Sequence, residues 1–135
     1  MRGLIDTNII LEMILDQARA DEARALLIQI EEHEFFLSDY SLHSIGLLLF
    51  RRKQHHTFRQ FLNDMIVRAG MVVVSVPAGE LESVIAAAQR FNLDFDDAYQ
   101  YVAAERYNLT LVSFDSDFDR AERGRKTPAE ILRGS

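Results

Sequence analysis

The sequence predicts an α/β protein built on a parallel β-sheet. Two observations lead there. Short runs of β-branched and aromatic residues alternate with longer segments of helical apolar spacing, the order expected of strands joined by crossover helices. Several of the short runs also end in or next to an aspartate. In an open parallel sheet the C-terminal strand ends share one edge, and sites are built there.

Residues 3–6 read as the first strand and 9–15 as a helix. Residues 21–32 carry Ala25, Leu26, Leu27 and Ile28 as apolar positions of a second helix. Residues 35–38 form the second predicted strand. The apolar stretch 42–50 is closed by Arg51, Arg52 and Lys53, cations that suit the negative end of a helix dipole. Residues 58–69 continue with Phe61, Leu62, Met65 and Ile66 at helical spacing. Residues 71–76 are the third strand, whose uninterrupted valines predict burial on both faces. Helices are expected over 80–91 and 97–107, the second introduced by Asp94, Asp96 and Asp97. Residues 110–114 form the fourth strand and run into Asp115 and Asp117. Pro77 and Pro128 fall where elements should stop or turn. No linker, repeat or low-complexity segment interrupts the 135 residues, so one domain over 1–135 is expected.

Composition narrows the function classes. At 48% hydrophobic residues the chain suits a packed domain rather than disorder. It has no cysteine, which excludes disulfides, thiolate metal sites and cysteine nucleophiles. The N-terminal apolar run is broken by Asp6, Glu12 and Asp16, and no stretch reaches the roughly 20 apolar residues of a membrane span. The expectation is a soluble cytoplasmic protein. A net charge of −6 argues against a broad positive face for nucleic acid. That imbalance shrinks if several acids hold divalent cations, because the ions' own charge then counts.

Asp6 follows the first strand, Asp39 the second, and Asp115 and Asp117 the fourth, while Asp96 and Asp97 open the preceding helix. The topology would bring these acids to one sheet edge. Two like charges at ~4 Å repel by about 4 kcal/mol at an effective dielectric near 20, so such a cluster calls for a cation. Hard oxygen ligands without cysteine suit Mg²⁺ or Mn²⁺, and metals held this way serve phosphodiester hydrolysis. Any one of these aspartates could equally be a helix cap or a turn residue. That all fall at one edge favours the metal.

Three segments resemble the PIN-domain family, and within it the VapC-type toxin ribonucleases. LIDTN at 4–8 is similar to the family's opening strand and first acid. SDYSLHSIGLLL at 38–49 is similar to its second-acid region. LDFDDAYQYVAAERYNLTLVSFDSDFDR at 93–120 is similar to its third acid, helix, closing strand and last acids. The resemblance spans nearly the whole chain and implies a three-layer α/β/α fold with a central parallel sheet of four to five strands. It also implies a metal-dependent endoribonuclease using Mg²⁺ or Mn²⁺, with an antitoxin partner and a homodimer. Asp6, Asp97, Asp115 and Asp117 match the acids that carry catalysis and metal. Asn8 would orient Asp6, Ser113 falls where the family often has a hydroxyl, and Asp96 is a neighbour of the third acid. The sequence departs at the second acid, where Ser44 stands, preceded by His43. Three readings of that departure stay open: weaker metal affinity, compensation by Asp39 or His43, or a catalytically impaired module that binds RNA or protein.

Arg120, Arg123, Arg125 and Lys126 follow the last acids directly and are the candidate RNA contacts. Phe95 and Tyr99 are candidate base-stacking rings. His55 and His56 read as solvated residues of a polar turn. A phosphoacceptor domain with Asp6 as nucleophile would need a second acid two residues on, where the chain has Asn8.

Overall fold

Strand β1 (Arg2–Ile5) lies inside the sheet, with Leu4 and Ile5 both wholly inaccessible. It is flanked on one side by β2 (Glu34–Ser38) and on the other by β4 (Thr110–Val112), with β3 (Val72–Val74) beyond β2. All pairings are parallel: Leu4 aligns with Phe36 and Leu111, and Ser38 with Val74. The computed structural model describes residues 1–134. Lys126 extends the sheet past β4 by one parallel bridge to Val112, through Lys126 N–H to the Leu111 carbonyl at 2.8 Å and Ser113 N–H to the Lys126 carbonyl at 3.0 Å.

Successive residues of a strand face opposite sides, and the core divides accordingly. Leu4, Phe36, Val74 and Leu111 pack under α5 (Leu81–Phe91) and α6 (Phe95–Arg106). Ile5, Phe35, Leu37 and Val112 pack under a second layer. That layer comprises α1 (Thr7–Ile14), α2 (Ala20–Leu27), α3 (Asp39–Arg51), α4 (His55–Phe61) and α7 (Pro128–Arg133). The result is the expected three-layer α/β/α arrangement on a parallel sheet. Helix α6 is buried from Ala98 through Ala104 on every side, so its polar residue at position 100 is buried as well.

Three expectations need correction. The third strand is only Val72–Val74, and Val72 is 50% exposed rather than buried on both faces. It is an edge strand of the sheet, and only Val74 of its three valines is buried. The helix expected over 58–69 begins at His55 and passes after Phe61 into a π-helical turn, Leu62–Arg68. There Ala69 N–H reaches the Asp64 carbonyl at 3.0 Å and Met71 N–H reaches Met65 at 2.9 Å. His55 opens α4 with its ring 4.4 Å from that of Phe50, edge-on, instead of lying in a polar turn. Helix α7 was not expected. Its signal is Thr127-Pro-Ala-Glu130, a complete capping box with proline in the first turn.

Candidate metal centre

Asp6 leaves β1 and caps α1, so its carboxylate is fixed by two elements at once. Oδ1 accepts from Thr7 N–H at 2.8 Å and from Gln100 Nε2 at 2.9 Å, and Oδ2 accepts from Ser113 Oγ at 2.6 Å. Burial pushes its pKa up. The donors from Gln100, Ser113 and Thr7 oppose that shift without cancelling it, and the charge of Asp115 adds to it.

Asp97 lies in the first turn of α6. Asp115 follows β4 and caps a short 3₁₀ turn, Ser116–Arg120, by accepting from Asp117 N–H at 2.9 Å. Carboxylate oxygens of Asp97, Asp115 and Asp117 all lie within 4.8 Å of one another. Asp6, Asp97 and Asp115 line one cleft of about 230 Å³ together with Asp96, Asn8, Tyr40, Ser44 and Gln100, and Asp117 joins them through its closeness to Asp97 and Asp115. Desolvation holds the Asp97 carboxyl up at about 7, with further upward pressure from Asp115, Asp96, Asp6 and Asp117. Four acids that repel one another, offering hard oxygens across a single cleft, are a donor set that fits a divalent cation.

The PIN domain family profile matches residues 3–124. The chain belongs to the PIN domain family. PIN domains are generally nucleases, and the acidic cluster is present in this one. No curated protein sequence matches it. Among solved structures, FitAB bound to a DNA fragment is similar at a TM-score of 0.77 and 16% identity, covering 93% of this chain and 94% of that one. VapBC2 from Rickettsia felis, bound to a DNA fragment from its promoter, is similar at 0.73 and 16%, covering 94% and 97%. A toxin–antitoxin complex from Klebsiella pneumoniae is similar at 0.71 and 22%, covering 93% and 97%. At these identities the likeness is one of fold.

The supporting residues of this PIN domain divide between the cleft and other surfaces. Asn8 does not bond Asp6 directly. Its Nδ2 donates to Ser113 Oγ at 3.1 Å and its Oδ1 accepts from Phe114 N–H at 3.3 Å, so it acts on Asp6 through Ser113. Ser113 also accepts from Asp115 N–H at 2.9 Å and thereby ties the first acid to the fourth strand's acid. Ser44 lines the cleft. Asp39 and His43 do not. Asp39 Oδ1 accepts from Tyr99 Oη at 2.7 Å and from Tyr40 N–H at 2.8 Å. His43 faces an apolar groove with Leu42, Gly46, Leu47, Phe50, Phe58 and Leu62. Neither is placed to restore the carboxylate that Ser44 lacks.

Arg120 donates to Asp117 at 3.1 Å and to the Asn92 carbonyl at 2.7 Å. Arg123, Arg125 and Lys126 line a different cleft beside β4. Arg125 is engaged there by Asp119 and by the Ser113 carbonyl, and Arg123 by the Leu109 carbonyl. Phe95 is exposed, whereas Tyr99 is buried between Phe95 and Tyr40 with both ring centroids 6.1 Å away.

Sequence reading missed Gln100, Ser41 and Thr7. Gln100 Nε2 donates to Ser41 Oγ at 2.7 Å as well as to Asp6, and Thr7 Oγ1 donates to Ser41 Oγ at 2.7 Å. A signal existed. Gln100 falls three residues after Asp97, hence on the same helix face, and it is the one amide within an otherwise apolar turn.

Proposed function

We propose that this PIN domain is a divalent-metal-dependent endoribonuclease, the toxin of a toxin–antitoxin pair. The observation that carries the reading is the meeting of Asp6, Asp97, Asp115 and Asp117, from three separate parts of the chain, around one cleft. A bound Mg²⁺ or Mn²⁺ would supply Lewis-acid polarisation of the scissile phosphate and acidify attacking water. Asp97, Asp115 and Asp117 offer the closest oxygens for holding it, and Asp6 supplies a fourth carboxylate from the central strand. Ser113, Thr7 and Gln100 keep Asp6 in one orientation, with Asn8 bracing Ser113. Arg120, beside Asp117, would meet a phosphate next to the cleavage point, whereas Arg123, Arg125 and Lys126 line the separate cleft beside β4.

The partner assignment rests on solved relatives that are toxin–antitoxin complexes and on the apolar groove of α3 and α4, where Leu47 and Phe50 are each 55% exposed. An apolar strip of this kind on a soluble chain marks a protein contact. Incubation of a mixed RNA pool with Mn²⁺ tests the enzyme: cleavage by the wild type and at least about a hundred-fold less by Asp115→Asn supports it, whereas equal cleavage by the two ends it.

A second reading, a PIN-fold module that binds without cutting, is favoured by Ser44 alone. It predicts retained RNA or protein association with no stoichiometric uptake of Mn²⁺.

A further inference from the structure

Gln100 is 1% exposed, yet it lines the acidic cleft beside Asp6 and Asp97. Both of its amide N–H groups are committed, one to Asp6 Oδ1 at 2.9 Å and one to Ser41 Oγ at 2.7 Å. Asp6 presents only acceptor oxygens when ionised, so the nitrogen must face it and the amide cannot turn over. The remaining atom, Oε1, is buried and has no hydrogen-bond partner among the described residues. Buried carbonyl oxygens are almost always satisfied by protein, water or ion. Its residue lines the same cleft as Ser44, where the resemblance to the family implies an acid and the chain has a hydroxyl.

We propose that Gln100 takes over the oxygen contact that Ser44 does not provide, with Oε1 touching the bound divalent cation directly or through one water while Nε2 fixes Asp6. An amide oxygen is a hard neutral ligand of the type such cations accept. Neutrality suits this place, because four aspartates already crowd the cleft and a fifth charge would add to their repulsion. Ser41, itself held by Thr7, fixes the amide from the other side, so Oε1 is preset rather than recruited. The inference rests on the metal reading above and goes beyond it by naming a ligand outside the acids.

Titration of the full chain with Mn²⁺, followed by calorimetry and by electron paramagnetic resonance, tests it. Metal-free melting midpoints are recorded alongside. Gln100→Met keeps the length and removes the oxygen, and its Mn²⁺ affinity should fall by about 10- to 100-fold. Adding Ser44→Glu to Gln100→Met should recover most of that loss, because it returns an oxygen to the same cleft. Should Gln100→Met not fold, Gln100→Glu serves. It should melt earlier without metal yet bind Mn²⁺ at pH 8 at least as tightly as the wild type, and weaker binding by about ten-fold would overturn the proposal. A Gln100→Met protein that melts earlier but binds Mn²⁺ within about two-fold of the wild type, while Asp115→Asn does not bind, overturns the Gln100 assignment and leaves the metal site standing. Failure of the wild type itself to take up Mn²⁺ removes both.

Discussion

Ser113 Oγ donates to Asp6 Oδ2 at 2.6 Å and accepts from both Asp115 N–H and Asn8 Nδ2, so one hydroxyl spans the first and last strand-end acids. All its hydrogen-bonding capacity is used and the residue is wholly buried. Ser113→Ala strips a donor from a buried carboxylate and leaves two donors unmatched. Loss of a buried partner costs about 1–3 kcal/mol, and urea denaturation of the metal-free protein should show a loss in that range. Mn²⁺ affinity should fall as well, because Asp6 loses its orientation. Unchanged stability would contradict the role assigned to this hydroxyl.

The raised Asp97 pKa sets the pH dependence. An ordinary aspartate titrates at 3.8, whereas in the fold Asp97 titrates at about 7. Between those values the folded state holds a proton that the unfolded chain has released, so its contribution to stability is full at low pH and is lost as pH rises toward 7. Asp97→Asn has no such loss. Without metal, the variant should therefore melt above the wild type by a margin that widens between about pH 4 and 7 and is flat beyond. Calorimetric scans across that range decide it, and a constant margin counts against the raised pKa that desolvation and the neighbouring acids produce.

Protons and cation compete for the same carboxylate. Wild-type affinity for Mn²⁺ should drop as pH falls below about 7. Saturating Mn²⁺ should raise the wild-type melting midpoint more at pH 8 than at pH 6. Equal shifts at the two values would mean that Asp97 takes no part in holding the metal.

Arg120 and Asp117 form an exposed pair at 3.1 Å. Pairs of this kind contribute about 0–1 kcal/mol, so Arg120→Ala should leave the melting midpoint nearly unchanged. If Arg120 meets phosphate, the salt slope of single-stranded RNA binding should become shallower by about 0.7. Anisotropy titrations over a range of KCl, in an Asp115→Asn background, read this out. An unaltered slope removes Arg120 from the RNA path.

Thr127 caps α7 by accepting from Glu130 N–H at 3.2 Å, and Ile131 of that helix is buried against the α1–α2 side of the sheet. Thr127→Ala should cost about 1 kcal/mol, visible in chemical denaturation. Uptake of Mn²⁺ should not change, because α7 lies outside the acidic cleft.

Much of the architecture was legible because the acids punctuate it. Asp6, Asp97 and Asp115 each sit where a strand ends or a helix starts, and periodicity located those boundaries to within a few residues. Val72 and Val73 misled because a run of valines looks the same in a central strand and at an edge, and only the strand order β3-β2-β1-β4 separates the two. The apolar spacing over 58–69 could not disclose a π turn, which alters backbone hydrogen bonding without altering composition. Gln100 escaped notice for another reason. An amide in a helix reads as solvated unless the helix is known to be covered on all sides, as α6 is.

The two walls of the acidic cleft are not mechanically equivalent. Asp6 issues from a strand hydrogen-bonded to neighbours on both flanks, so its backbone can move only if the middle of the sheet moves. Asp97 rides on α6, which meets Asp6 through side chains such as Gln100 and no backbone ladder. One wall is thus held by backbone pairing and the other by side-chain packing. Any displacement of Asp6 would have to pass through the sheet, and any displacement of Asp97 through the packing of α6 into the core.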